Sequence, residues 1–91
     1  MPSECAYVKQ PGFAAANLGE ELAVLNLASG SYLGFNATAA HLWRLLDQPK
    51  TLPELVAAMT VEFNVDEAQC RTELEALLGG LSQAGLIRQD E

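Results

Sequence analysis

A chain of 91 residues makes one domain, and at this size folding buries only about 60–65% of the unfolded surface, so the core is modest. Five Lys and Arg against twelve Asp and Glu give a net charge of −7. The cations Lys9, Arg44, Lys50, Arg71 and Arg88 are scattered, without the basic stripe that displaces counterions from phosphates, which argues against a nucleic-acid partner. No apolar run approaches the ~18 residues of a membrane span, and the start, Met1-Pro2-Ser3-Glu4-Cys5, lacks the basic and apolar regions of a signal peptide. Two distant cysteines, Cys5 and Cys70, read as a reduced pair. Together these features predict a cytoplasmic domain with no membrane partner.

In chain order, Ala6-Tyr7-Val8-Lys9 reads as a short first strand, and the Ala-, Gly- and Asn-rich residues 10–19 as a loop. Leu22, Val24, Leu25 and Leu27 favour a strand, Ala28-Ser29-Gly30 supplies a turn in which Gly30 tolerates positive φ, and residues 31–35 return. Alternation puts Leu33 and Phe35 on one face of this return strand and Tyr32 and Gly34 on the other. Asn36 is a good N-cap for a helix running to about Asp47, with Ala39, Leu42, Trp43 and Leu46 as its core-facing stripe. After the break at Gln48-Pro49-Lys50, Thr51 and Glu54 have capping-box spacing, with Pro53 in the tolerant first turn. Leu52, Leu55, Val56, Met59 and Phe63 form the apolar face of that second helix. Asp66 caps a third, whose stripe is Cys70, Leu74, Leu77, Leu78 and Leu81, weakened by Gly79-Gly80 and ended by Gly85. Leu86-Ile87 should tuck back onto the core, and residues 89–91 should fray. The pattern predicts an α+β domain in which helices cover a small antiparallel sheet. Its short second hairpin strand is left at the rim, where another chain can add.

Residues suited to catalysis are sparse. The single imidazole, His41, has no marked partner for activating a Ser or Cys nucleophile. Cys5, Cys70 and His41 lack the paired close spacings of a zinc site. Gly79-Gly80 is not followed by the Lys-Ser or Lys-Thr of a phosphate loop. Glu73 and Glu75 lie two apart on a helix and do not face each other. The expectation is a non-catalytic domain with neither metal nor cofactor.

The hairpin and cap resemble the PqqD-like family, the peptide-recognition elements of ribosomal peptide natural-product pathways. The residues that carry the resemblance are Val24-Leu25-Asn26-Leu27, Ser29-Gly30-Ser31-Tyr32, Phe35-Asn36-Ala37-Thr38-Ala39 and Leu42-Trp43. It continues through Thr51-Leu52-Pro53-Glu54-Leu55, Glu73-Leu74, Leu77-Leu78, Leu81 and Gly85-Leu86-Ile87, about residues 20–88. Phe35 stands where Leu is usual in the family. The resemblance implies a small winged helix-turn-helix-like domain, a three-stranded antiparallel sheet followed by three helices, with no DNA binding. It also implies that a precursor's leader peptide lies along the third strand and that the last helix walls the groove. The domain would carry the precursor to a modifying enzyme such as a protease, cyclase or radical enzyme, in lasso-type or quinone-cofactor biosynthesis.

Strand addition draws affinity from main-chain bonds and selectivity from alternate side chains. On this reading Ser31, Tyr32, Leu33, Gly34 and Phe35 are the accepting edge. Cys70, Leu74, Leu77 and Leu81 are the apolar wall, and Arg71 or Glu73 fixes charged peptide residues. Core packing is the competing role for the leucines, favoured for Leu78 and Leu81 and balanced for Leu74 and Leu77. Two other functions fit the same elements. One is a winged-helix transcription regulator, disfavoured by Asp66, Glu67, Glu73 and Glu75 against Arg71 on the third helix. The other is a general interaction module, including a homodimer through the residue 31–35 edge.

Overall fold

The computed structural model describes residues 5–90. Six strands and three helices follow one another as β1 (Ala6–Lys9), β2 (Phe13–Leu18), β3 (Glu21–Asn26), β4 (Tyr32–Phe35), α1 (Ala37–Leu45), β5 (Lys50–Thr51), α2 (Leu52–Phe63), α3 (Glu67–Gln83) and β6 (Ile87–Asp90). The strands form two antiparallel sheets, ordered β2-β3-β4 and β5-β1-β6. The α+β class and the three helices follow the sequence reading, and the arrangement is compatible with a winged-helix shape.

Two segments differ from that reading. Residues 10–19 are not a loop: β2 pairs with β3 along its whole length, from Phe13 opposite Asn26 to Leu18 opposite Glu21. Alanine has weak strand propensity, and here the backbone ladder rather than the side chains makes the strand, since five of the six β2 residues are exposed. Gln89 and Asp90 do not fray: β6 pairs with β1, Asp90 opposite Ala6 and Gln89 opposite Tyr7, and Gln89 Nε2 donates to the Tyr7 hydroxyl at 3.1 Å. The expected fraying of Glu91 falls outside the described residues.

The hairpin register sets the inner face of the first sheet. Leu22 opposes Phe35 and Val24 opposes Leu33, so these four side chains share a face. Leu22, Val24 and Phe35 are buried, whereas Leu33 at the edge is 47% exposed. On the opposite face Ala14, Ala16, Leu25 and Tyr32 remain in solvent. The turn is tighter than composition suggests. Asn26 Oδ1 accepts from the amides of Ala28 (2.9 Å) and Ser29 (3.2 Å), and Gly30 sits at φ 78°.

Each helix starts where its cap predicts. Asn36 Oδ1 accepts from Ala39 N at 2.9 Å, Thr51 and Glu54 exchange both capping-box bonds, and Asp66 accepts from Gln69 N at 3.1 Å. The α3 end is closed by Gly85 at φ 81° and by a bond from Leu86 N to Leu81 O at 3.0 Å, which turns the buried pair Leu86 and Ile87 back under the core. The core joins Leu22, Val24 and Phe35 of the sheet to Leu42, Trp43, Leu46, Leu55, Val56, Met59, Leu74, Leu78 and Leu81 of the helical layer. Leu55, from α2, has no exposed surface. Leu55→Ala should therefore cost about 2–5 kcal/mol, read as a lower urea midpoint with unchanged slope. A change below about 1 kcal/mol would contradict this packing.

Candidate functional site: an open strand edge facing a helix

Strand β4 pairs only with β3 and lies at the edge of its sheet. Among the described residues, Tyr32–Phe35 make no backbone hydrogen bond beyond those of the sheet. The outward amides and carbonyls of such an edge are a template for another strand. Phe35 fixes the inner side of the edge, because its ring meets Trp43 of α1 edge-on, with centroids 5.7 Å apart and planes at 85°. Asn36 follows at once and caps α1, so the chain leaves the strand by turning over the inner face.

Across from this edge stands α3. Between them runs a groove of about 620 Å³, lined on one side by Leu33, Gly34 and Phe35, at its floor by Asn36, Thr38 and Ala39, and on the other side by Glu73, Ala76 and Leu77. It adjoins a smaller and deeper cavity of about 280 Å³, where Cys70, Leu74 and Leu77 of α3 meet Met59, Phe63 and Val65 from α2 and the α2–α3 connection. Thr38, Glu73 and Leu77 line both spaces.

The structure thus brings together most of the residues selected from sequence. Leu33, Gly34, Phe35, Glu73 and Leu77 line the groove, and Cys70 and Leu74, both buried, line the adjoining cavity. Leu77 is half-buried at their junction. Tyr32 belongs to the edge strand but points to the opposite face and is 72% exposed. Ser31 lies in the turn before β4, its hydroxyl 2.7 Å from that of Ser29.

Two of the residues selected on α3 also line neither space. Arg71 is one position round the helix from Cys70, and it faces Pro53 of α2 and, beyond it, Tyr7 and Gln89 of the second sheet. Leu81 is buried in the core about 16 Å further along the helix axis than Cys70. Thr38, Met59, Phe63, Val65 and Ala76 were not selected from the sequence. Met59 and Phe63 read there only as a core stripe, and nothing local shows that one end of that stripe opens into a cavity.

The site's ionisable groups are few. Burial, with a smaller push from the carboxylates of Glu73 and Glu67, raises the Cys70 thiol above its ordinary range. Cys5 is a second free thiol, partly exposed. His41 packs edge-on against Phe63, ring centroids 5.5 Å apart, and lines neither the groove nor the cavity that Cys70 borders. Among the described residues no three metal-ligating side chains gather, and no helix is long and apolar enough to cross a membrane.

A winged-helix-like α+β domain with an open edge facing its last helix is the class that fold and site define. The family model of coenzyme PQQ synthesis protein D (PqqD) matches residues 21–87, and the chain belongs to the PqqD family. Two solved structures are similar. One is TbiB1 in complex with the TbiA(beta) leader peptide, 27% identical, with a TM-score of 0.81 over 89% of this chain and 94% of that one. The other is a lasso peptide synthetase B1 complexed with its leader peptide, 25% identical, with a TM-score of 0.76 over 90% of this chain and 96% of that one. No functionally curated protein matches the chain.

A buried thiol whose proton is held more tightly in the fold gives two expected outcomes. At pH 8, iodoacetamide should label Cys70 at least about tenfold more slowly than Cys5, because the thiolate is the nucleophile. Cys70 has the higher value folded, so the unfolded chain loses the proton first as pH rises. The contribution of Cys70 to stability is then intact below the ordinary thiol range and falls above it. Urea midpoints followed from pH 7 to 10 should show a steeper alkaline decline for the wild type than for Cys70→Ala.

Proposed function

We propose that the domain is a non-catalytic carrier that captures the leader segment of a ribosomally made precursor peptide by strand addition to β4. It then presents that precursor to a modifying enzyme. The observation that carries this reading is the free edge of β4 held open opposite α3 across the groove. An extended peptide paired to β4 gains main-chain hydrogen bonds along Tyr32–Phe35 and sends alternate side chains toward α3. The 280 Å³ cavity then receives one apolar side chain between Phe63, Leu74 and Leu77. Membership of the PqqD family and the leader peptides bound by the two similar proteins support the same reading.

On this view the chemistry belongs to the partner, a protease, cyclase or radical enzyme, and the described chain acts as one peptide-recognition unit in the cytoplasm. Backbone bonds give affinity for many extended peptides, and the groove's side chains discriminate among them. The product is of the lasso or quinone-cofactor kind.

Titration of the ¹⁵N-labelled domain with the leader segment of a precursor encoded beside it tests the reading. Amide shifts are expected at Tyr32–Phe35 and at Glu73, Leu74 and Leu77. Shifts confined to Ala14, Ala15, Ala16 and Asn17 would contradict the site. The amide of Gly34 points away from β3, so in calorimetry Gly34→Pro should abolish binding with the fold retained by circular dichroism. Leu77→Ala should weaken it about tenfold, equivalent to about 1.4 kcal/mol.

A further inference from the structure

The space between β4 and α3 contains one charged side chain. The residues of the groove and its adjoining cavity are uncharged apart from Glu73, which borders both. None of the five Lys and Arg side chains lines either space. Lys9 pairs with Asp47 and lies over the Trp43 ring, 4.6 Å from its centroid. Arg44 donates to Asn17 Oδ1 at 2.9 Å, Arg88 pairs with Asp90, Lys50 belongs to β5, and Arg71 faces the opposite flank of α3. Glu73 therefore has no cationic partner among the described residues.

Its carboxylate is nevertheless held in place. Gln69, one turn earlier, donates from Nε2 to Glu73 Oε2 at 3.1 Å. A neutral donor of this kind restrains one oxygen without neutralising the charge, and the other oxygen is left for a further donor. The field of Glu73 reaches into the cavity, where it adds to burial in holding the proton on Cys70.

An incoming strand changes the balance at this position. In the free domain, water solvates the exposed carboxylate. A peptide laid along β4 removes part of that water, and a carboxylate that loses solvent without gaining a cation opposes binding. A peptide with an ammonium or guanidinium group there restores a charge-assisted hydrogen bond to the free oxygen. The same carboxylate repels a peptide with Asp or Glu in that register, so one residue supplies both attraction and exclusion.

Resting on the peptide-binding role assigned above, we propose that Glu73 is a specificity-determining residue that selects peptides carrying Lys or Arg on the α3-facing side of the added strand. Residues on one side of a strand recur every second position. Glu73 lies where the groove meets the apolar cavity, so the basic residue belongs two positions from the apolar side chain that fills that cavity. The preferred peptide is extended and pairs an apolar anchor with a cation at a separation of two.

Selection from a displayed library of randomised linear peptides tests this with the intact domain, using wild type, Glu73→Gln, Glu73→Arg and, to remove an outward amide of β4, Gly34→Pro as baits. The wild type should enrich Lys or Arg two positions from an enriched apolar residue. Glu73→Gln should keep the apolar preference and lose the basic one, and Glu73→Arg should replace it with Asp or Glu. For a synthetic peptide from the wild-type pool, Lys→Gln should weaken binding about tenfold to wild type and little to Glu73→Gln. Peptides that require the β4 edge, and so are lost with Gly34→Pro, but show no basic preference or one indifferent to Glu73 would overturn the role of Glu73 and leave strand addition standing. A wild-type pool no different from that of a folded Gly34→Pro domain would overturn both.

Discussion

The contact between Phe35 and Trp43 is the constraint on which the site depends. It ties the last residue of the edge strand to the helix that follows after a single capping residue. Phe35 and Trp43 are both buried, so the contact contributes both apolar burial and an edge-on aromatic geometry worth about 0.5–1.5 kcal/mol beyond area. Its structural consequence matters more than its energy. With the end of β4 pinned beneath α1, the helix crosses the inner face above Leu22 and Phe35 and leaves the outward backbone of β4 uncovered. Leu33, opposite the buried Val24, remains half in solvent at the open edge.

The edge alone would be a liability, because unpaired strands invite indiscriminate association. On the proposed reading, two features turn it toward selective binding. The edge strand has only four residues, which limits the number of main-chain bonds that any partner can gain. The α3 wall adds a cavity lined by Phe63, Leu74 and Leu77 and a lone carboxylate at its mouth, so affinity comes to depend on the side chains of what binds. Gly34 in the middle of the edge contributes no side chain to obstruct a neighbouring strand. The second sheet serves a different purpose. By pairing β1 with β6 it joins the two ends of the described chain and anchors the far end of α3 through Leu86 and Ile87, which holds the wall at a fixed distance from the edge.

The parts of this arrangement that were legible in the sequence are those with local causes. Asn36, Thr51 and Asp66 cap the helices because their side chains reach amides three residues on, and the turn at Gly30 needs a residue that accepts positive φ. The alternation of Leu33 and Phe35 against Tyr32 is likewise a property of a single strand. Strand β2 was illegible because Phe13-Ala14-Ala15-Ala16-Asn17-Leu18 has neither alternation nor β-branched residues, and it exists through its ladder to β3. Strand β1 was legible, but the pairing of the second sheet was not, for a related reason. Its pairs join residues far apart in the chain, Tyr7 with Lys50 and with Gln89, and no short-range pattern encodes them. Within the site, the rotation of α3 separated the true lining from its neighbours. Cys70, Glu73, Leu74 and Leu77 fall on one helical face, and Arg71, a single residue along, is turned toward the other sheet.

The central claim is that a peptide becomes the fourth strand of the β2-β3-β4 sheet. Amide hydrogen exchange, measured residue by residue with and without a bound leader peptide, reads this most directly, since strand addition must engage amides that point outward from β4. The account predicts that outward amides within Tyr32–Phe35 gain protection on binding while those of β2 at the opposite edge remain unchanged. Unchanged exchange along β4, together with new protection in β2, would contradict it.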